Sequence, residues 1–232
     1  MNNDIQVSKE HYDFFKYVNM NRWCSYYTQI EEIIKNAKKR IMIIGIGDGI
    51  TIDMTKRINE KLELIKVDFD KELNPDICAD VRELSKYIDN NNLPDTIVCC
   101  QVLEHIPYSY FDETLKEIKK CLAYDGKVIL SLPDSGKMRR VHIDIPKIHV
   151  NYYAKKCISK EDFSFNGEHY WEVNSAKKYS AKNIRSVINS NFEIIREWNV
   201  RYNDYHRFYL LRNRMEKGIS EERTSVCSTH QL

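Results

Sequence analysis

The stretch that decides the fold is Arg40-Ile41-Met42-Ile43-Ile44-Gly45-Ile46-Gly47-Asp48-Gly49, an apolar run that ends in three of the chain's seven glycines. Glycine adopts positive φ at no steric cost, so this crowding predicts a strand that enters a tight turn. Residues 50–58 then place apolar side chains at helical intervals, and Leu64-Ile65-Lys66-Val67 predicts a second strand that ends at Asp68. Together these segments predict a β-α-β unit.

The alternation of strands and helices continues along the chain. We predict a short strand at 77–79, a helix over 81–88, a strand over 96–100, a helix over about 111–122 and a strand over 127–132. After a helix over 182–188, strands at 192–198 and 207–211 follow each other directly, which predicts an antiparallel edge pair. The expected fold class is α/β, a doubly wound, mostly parallel seven-stranded sheet with helices on both faces and an antiparallel edge hairpin.

Length and composition suit one globular domain with additions. The chain has 232 residues, 30% of them charged, and a formal net charge of +2, which argues against a globally basic nucleic-acid binder. We expect a helical lead-in over 1–38, a main domain over 39–216 and a flexible tail over 217–232. The lead-in helix should bury one apolar stripe, formed by Ile30, Ile33, Ile34 and Ala37.

The chain has no segment typical of secretion or membrane insertion. It shows neither a secretory signal pattern nor the ~20 consecutive apolar residues that span a bilayer. Its seven cysteines include no Cys-x-x-Cys pair, and several lie in apolar runs. We therefore expect reduced core cysteines, a cytoplasmic location and no membrane partner.

A basic segment interrupts the alternation between Pro133 and Tyr170. Residues 137–160 hold seven Lys or Arg against the single acid Asp144. Such an insertion, at about 134–170, is commonly a lid or substrate platform, and the alternative is an ordinary solvated basic face. In the first interpretation, the side chains that would bind an anionic acceptor group such as phosphate are Arg139, Arg140 and His142.

The glycine-rich turn, with an acid at the end of the next strand, predicts a cofactor that contains a nucleoside. A nicotinamide dinucleotide and S-adenosylmethionine are the two candidates. The dinucleotide fingerprint is Gly-x-Gly-x-x-Gly, but here the third glycine falls one position early and Ile50 takes its place. Asp48 would repel a pyrophosphate, whereas it could meet the amino group of a methionine moiety. The turn therefore favours S-adenosylmethionine.

Five segments follow one another in a recognisable order: Ile43–Gly49, Val67–Asp70, Cys78–Leu84, Cys100–Pro107 and Leu122–Pro133. In this order they resemble the motifs of class I, Rossmann-like S-adenosylmethionine-dependent methyltransferases, particularly the small-molecule and glycan group. The resemblance covers about residues 38–135 well and 168–213 loosely. It implies S-adenosylhomocysteine as product and a cofactor site formed by Gly45, Gly47, Asp48, Gly49, Asp68, Phe69, Asp80, Val81 and Gln101.

Two features depart from the family pattern. The turn before the strand at 127–132 reads Tyr124-Asp125-Gly126 instead of two small residues, which is still good turn chemistry. The strand that ends at Cys100 lacks the Asn/Asp-Pro-Pro-Tyr sequence of enzymes that methylate exocyclic amino groups of bases. A nucleic-acid acceptor is therefore disfavoured.

Glu104-His105 stands where sheets of this type hold their ligands. His105 is a candidate general base and Glu104 a candidate substrate contact, while the alternative is a pair that positions the following loop. A divalent-metal site of the form Glu-x-x-Glu-His, which some methyltransferases carry, would have the neutral Gln101 at its first position. Since such a site would lose one anionic ligand, we predict metal independence.

A second cluster is Gly167-Glu168-His169-Tyr170-Trp171-Glu172. His169 could act as a base, and Tyr170 and Trp171 could stack on a sugar or planar ring. The alternative is a packed aromatic junction. A late His206-Arg207-Phe208-Tyr209 stretch resembles methyltransferases of bacterial surface carbohydrates.

The sequence thus predicts O-methylation of a hydroxyl on a sugar, sugar nucleotide or other small polar metabolite. A base at His105 or His169 suits a hydroxyl acceptor because of its high pKa, whereas an amine acceptor needs only to be neutral. The alternatives are an RNA methyltransferase or a non-catalytic binding module that uses residues 137–160, and a nicotinamide-dependent oxidoreductase.

Overall fold

The computed structural model describes residues 17–136, 140–153 and 163–214, with backbone only at 140–142, 144, 149 and 151–153. Several predicted features lie outside the described residues. They are residues 1–16 of the lead-in, positions 137–139 of the basic segment with Arg139, positions 154–162 of the insertion, and the tail. The described α-helices are α1 (Met20–Asn36), α2 (Ile50–Ile58), α3 (Phe111–Lys120) and α4 (Ala181–Asn191). The described strands are β1 (Arg40–Ile44), β2 (Glu63–Asp68), β3 (Ile77–Cys78), β4 (Thr96–Cys100), β5 (Lys127–Pro133), β6 (Arg140–Ile145), β7 (Ile148–Tyr153), β8 (Phe192–Val200) and β9 (Asn203–Asn213).

Seven of these strands form one sheet in the order β3-β2-β1-β4-β5-β9-β8. The pairs from β3 to β5 are parallel, and β9 lies antiparallel to both β5 and β8. The predicted fold class, including the antiparallel pair at one edge, is confirmed. Parallel strands end together at one edge of the sheet, which brings the polar residues after β1, β2 and β4 to one place.

Helices cover both faces of the sheet, and the central strand shows why. Ile41 and Ile43 of β1 join a core with Ile33 of α1 and Ile52 of α2. Met42 and Ile44 point the other way, into a core shared with α3 and α4. Side chains alternate between faces along a strand, so a strand buried on both sides is a continuous apolar run.

Helix α1 differs from the predicted apolar stripe. Ile33 is buried, but Ile34 is 39% exposed, and much of the buried surface of the helix is polar. Glu32, for example, is buried and pairs with Arg196 at 2.5 Å. An arginine of the edge strand β8 thus meets a buried acid of the helix, so the buried side of α1 is not a continuous apolar stripe. No helix in the described ranges combines the length and the apolar character that crossing a bilayer requires.

The segment predicted as a helix over 81–88 is a 3-10 helix over Val81–Tyr87, with non-helical backbone at Glu83. Asp80 caps it by accepting the backbone N–H of Arg82 at 2.9 Å. The basic segment contains a hairpin in which β6 and β7 pair antiparallel, with Ile143 opposite Val150. Arg140 and His142 lie on β6, where the structure describes their backbone alone. That their side chains bind an anionic group of the acceptor stays a prediction.

A buried carboxylate fastens the end of β5 to the chain that follows the basic segment. Asp134 accepts the side-chain amide of Asn174 at 2.9 Å and the Arg207 guanidinium at 2.7 Å. It also accepts the backbone N–H of Gly136 at 2.9 Å. These bonds join β5, β9 and residues 172–175, and they set where the 167–172 cluster lies against the sheet.

Candidate active site

A pocket of about 550 Å³ opens at the carboxyl ends of β1, β2 and β4. Residues 45–48 of the glycine-rich turn form part of its wall. The other predicted cofactor residues that line it are Asp68, Phe69, Asp80, Val81 and Gln101. Gly49 is the one predicted cofactor residue that does not line the pocket, although it caps the N-terminus of α2.

The glycine-rich turn uses left-handed backbone at each glycine. Gly45, Gly47 and Gly49 have φ of 83°, 56° and 78°. At Gly45 an added Cβ would overlap the side chain of Val102, which belongs to the segment after β4. Glycine at position 45 therefore serves both the turn and the close approach of two strand ends.

The substitution Gly45→Ala is expected to destabilise the fold and to reduce binding of S-adenosylhomocysteine, because Val102 or the turn must move. Left-handed strain costs about 1–2 kcal/mol and overpacking about 1–3 kcal/mol more. Urea unfolding and calorimetry measure the two effects. Gly167→Ala is the matched control, since Gly167 has φ of 101° but open space around its added Cβ. Equal losses in the two variants would contradict the role of the Val102 contact.

Asp68 is held rigidly at the end of β2. One carboxylate oxygen accepts the backbone N–H of Ile46 at 2.8 Å, and the other accepts that of Asp70 at 3.0 Å. This bridge ties the glycine-rich turn to β2 and fixes a negative charge in the pocket wall. Phe69 follows it with nearly half of its side chain exposed, so an aromatic face is available beside the carboxylate.

Asp80 forms an ion pair with Arg82, whose guanidinium lies 5.2 Å from the centre of the Tyr110 ring. Burial opposes ionisation of Asp80, but the Arg82 hydrogen bonds outweigh it and lower its pKa. The carboxylate is thus ionised and oriented at the pocket wall. Val81 packs beneath it in the core.

Helix α1 supplies a wall of the pocket that the sequence analysis missed. The Tyr26 hydroxyl donates to Asp48, which also accepts the backbone N–H of Ile50 at 3.1 Å. Burial and then the Asp48 carboxylate raise the pKa of Tyr26. Arg22 and Gln29 line the same wall. Positions 22, 26 and 29 share one helical face, so their spacing was an available signal.

After β4 the chain turns sharply at Gln101, which has a positive φ of 57°. Its backbone N–H donates to the Ser131 carbonyl at 3.0 Å and its side-chain amide donates to the Ser131 hydroxyl at 3.2 Å. The turn directs His105 into the pocket wall and Glu104 into the interior. Two adjacent residues therefore occupy very different surroundings.

His105 and His169, the histidine pair, are brought together from distant parts of the chain. Their rings lie edge to face with centres 5.0 Å apart. Nδ1 of His105 donates to the Glu168 carbonyl at 2.9 Å, because a carbonyl can only accept. His169 lies behind His105, outside the set of residues that line the pocket.

A buried carboxylate orients His169. Glu172 accepts from Nδ1 of His169 at 2.8 Å and from the Tyr205 hydroxyl at 2.7 Å, and the Ser135 hydroxyl donates to its other oxygen. Burial disfavours the charged form of both side chains, but the hydrogen bond between them stabilises the charged forms by more. It raises the pKa of His169, whereas the donors together lower the pKa of Glu172. Glu172 was not among the predicted site residues.

Glu104 is 0% exposed, and neither carboxylate oxygen has a hydrogen-bond partner within the described part of the chain. Burial raises its pKa to about 7, although the nearby His169 opposes the shift. Glu104 does not line the pocket, so it cannot contact an acceptor there without rearrangement. It lies behind the wall, next to the histidine pair.

Of the predicted stacking residues, Tyr170 lines the pocket and stacks on Phe165 with ring centres 4.5 Å apart. Trp171 is 0% exposed and donates its indole N–H to the Ile106 carbonyl at 2.9 Å. Its ring packs against Tyr108 and other core aromatics, so it offers no face to an acceptor. Trp171 is therefore part of a packed aromatic junction, which was the alternative interpretation of this cluster.

His206, noted only for its aromatic neighbours, is buried in the pocket wall. Its Nδ1 has no hydrogen-bond partner among the described residues. Burial, followed by the charge of Arg22, lowers its pKa to about 3, so the imidazole is neutral at ordinary pH.

The family described as "methyltransferase domain" matches residues 11–176 of this chain. The chain therefore belongs to this methyltransferase family, and the resemblance to class I methyltransferases is confirmed. A search of curated proteins finds no match.

Solved structures show the same fold at low sequence identity. N-methyltransferase NodS from Bradyrhizobium japonicum, in complex with S-adenosylhomocysteine, is 10% identical with a TM-score of 0.56, over 90% of this chain and 95% of that one. The 1,6-didemethyltoxoflavin-N1-methyltransferase of Burkholderia thailandensis is 12% identical with a TM-score of 0.56, over 89% and 83%. The glycopeptide N-methyltransferase MtfA is 9% identical with a TM-score of 0.52, over 82% and 94%.

Proposed function

We propose that the chain transfers a methyl group from S-adenosylmethionine to a hydroxyl of a sugar, sugar nucleotide or other small polar metabolite. When bound, the cofactor supplies a methyl group on a sulfonium, a leaving group that is already activated. The glycine-rich turn fits such a cofactor, because Gly45 and Gly47 line the pocket and present backbone without side chains to it. Asp48 adds a negative charge, which suits an α-amino group and disfavours a pyrophosphate.

We propose the following roles for the residues that would bind the cofactor. Asp68 accepts the ribose hydroxyls, since its oxygens are fixed at the pocket wall by backbone N–H groups. Phe69 and Val81 flank the adenine, and Asp80 accepts from its amino group. Gly45, Gly47 and Gln101 bring backbone close to the methionine moiety, and Gly49 starts α2 beneath it.

The observation that carries a hydroxyl acceptor is the histidine pair at the pocket wall. Loss of the hydroxyl proton makes the oxygen nucleophilic, and His105, which lines the pocket with its ring against His169, is the proposed acceptor of that proton. Tyr170 provides a face for a ring, and Arg139, Arg140 and His142 of the basic segment would hold a phosphate. Glu104 and Trp171 lie behind the wall and support it.

Methylation of an amine is the second candidate, because the similar structures named above are described as N-methyltransferases. A neutral amine needs no base to attack a methyl group. Incubation with labelled S-adenosylmethionine and a panel of phosphorylated sugars, with and without an amino group, separates the two. Methyl label on amino sugars alone would favour the amine. A cytoplasmic location and the domain limits 39–216 stay predictions.

Binding of S-adenosylhomocysteine is the first test of the proposal. At 100 times its dissociation constant a ligand adds about 2.7 kcal/mol of stability, so the full chain should show a clear thermal shift. A dinucleotide at the same concentration should give none. The absence of a shift with S-adenosylhomocysteine would favour the non-catalytic module, and binding of RNA that weakens steeply with salt would favour the RNA alternative.

A further inference from the structure

We propose that Glu104, His105 and His169 bind one divalent transition-metal ion behind the pocket wall. A ring nitrogen of each histidine and a carboxylate oxygen of Glu104 all lie within 4.8 Å of one another. Ligands at that spacing converge on one ion after small side-chain movements. The part that the ion would play in methyl transfer rests on the proposed function. Binding of the ion does not, since it is measured without turnover.

The first independent observation is the buried carboxylate of Glu104. Burying a polar group without a hydrogen bond is costly, and burying a carboxylate is more so, so each such group in a native protein calls for an explanation. Both oxygens of Glu104 lack a partner in the part of the chain that the structure describes, although Tyr170 and His105 are adjacent in the fold. A bound cation supplies the missing partner for both oxygens.

The second observation is how the two rings are held. A metal-binding histidine almost always donates its other ring N–H to a carboxylate or a backbone carbonyl, which fixes the tautomer and the ring orientation. His105 donates from Nδ1 to the Glu168 carbonyl, and His169 donates from Nδ1 to Glu172. Each ring therefore makes one outer hydrogen bond of the kind that metal-binding histidines make.

The donor set selects the class of ion. Two imidazoles and one carboxylate suit Zn²⁺, Co²⁺, Mn²⁺ or Fe²⁺, whereas Mg²⁺ and Ca²⁺ prefer oxygen ligands throughout. Three protein ligands leave a coordination position for another oxygen. His105 lines the pocket, so the charge of an ion held behind it would act on an acceptor hydroxyl there and favour release of the hydroxyl proton to water, after which the oxygen attacks the methyl carbon as the carbon–sulfur bond breaks. In the ion-bound protein the two histidines would serve as ligands and not as the base.

This inference departs from the metal independence expected from the sequence. That expectation counted ligands only within residues 101–105, where Gln101 is neutral. His169 comes from a different segment, and it replaces the missing anionic ligand with an imidazole.

The test is a titration of the chelator-treated full chain with Co²⁺, followed by visible absorption and calorimetry. We expect one ion per chain, displaced by Zn²⁺ and not by Mg²⁺. Glu104→Gln, His105→Asn and His169→Asn should each abolish binding. Glu172→Gln should weaken it by about 10–100-fold, as expected for a residue that orients a ligand. His230→Ala, in the predicted tail, is the matched control and should bind normally.

Circular dichroism and S-adenosylhomocysteine binding on the same metal-free samples show whether each variant is folded. If Glu104→Gln fails to fold, the two histidine variants and Glu172→Gln decide the question. Absence of stoichiometric binding, binding that survives all histidine variants, or a thiolate-to-cobalt absorption band would overturn the inference. Each of these results leaves the proposed function standing if S-adenosylhomocysteine still binds, whereas metal binding without S-adenosylhomocysteine binding would remove the proposed function alone.

Discussion

Replacing His105 by alanine is expected to lower kcat by about 10²–10⁴-fold, the range typical of losing a group that assists proton transfer. His105 lines the pocket, and its ring is held by the Glu168 carbonyl and lies against His169. Affinity for S-adenosylhomocysteine should change little, because the glycine-rich turn and Asp68 belong to other strand ends. Steady-state kinetics with the acceptor that takes up methyl label, together with calorimetry, measure the two quantities separately.

His169→Ala tests the same part of the site from behind the wall. We expect loss of turnover with intact cofactor affinity, since His169 is the group that Glu172 and Tyr205 hold in place against His105. His230→Ala changes the same residue type in the predicted tail and should leave both quantities unchanged. Wild-type activity in the His169→Ala variant would remove His169 from the mechanism.

Asp134→Ala is expected to lower the free energy of unfolding by about 3–5 kcal/mol, as typical for removing one partner of a buried ion pair. Asp134 is 3% exposed, and its loss leaves Asn174 and the backbone N–H of Gly136 without their acceptor. Arg207, whose side chain is 12% exposed, loses its contact with Asp134 and keeps its contact with Glu197. Urea unfolding measures the change.

The matched control is Asp125→Ala, which removes a carboxylate paired with Lys38 while 64% of its side chain is exposed. Exposed ion pairs contribute little, so the unfolding midpoint should stay nearly unchanged. An Asp134→Ala loss no larger than that of Asp125→Ala would show that the network does not fasten β5 to β9. The Asp134 variant should also bind S-adenosylhomocysteine once folded, because Asp134 does not line the pocket.

The order of the elements was predictable because it depends on local pattern. The run Arg40–Ile44 contains a continuous apolar stretch that ends in a glycine-rich turn, which is typical of a central strand covered by helices on both faces. The left-handed backbone at Gly45 and Gly47 was likewise readable from residue type. The 3-10 helix over Val81–Tyr87 was missed because a capping acid followed by apolar positions suits either kind of helix.

The candidate site was only partly predictable. Asp68 is the last residue of β2 and His105 lies in the segment that follows β4, so the rule that parallel strands end at one edge brought them to the pocket. Trp171 and Glu172 are adjacent in sequence, yet one fills the core and the other orients His169. No periodicity distinguishes them, since residues 163–176 form neither a long helix nor a strand.

The sequence by itself determined the sheet, the glycine-rich turn and the methyltransferase family, because each depends on residues that are close along the chain. Only the tertiary structure decided that α1 covers the pocket, that Trp171 belongs to the core, and that Glu104 and His105 meet His169. Those contacts join segments far apart in sequence. Their positions follow from how buried surfaces pack against each other, which local pattern does not specify.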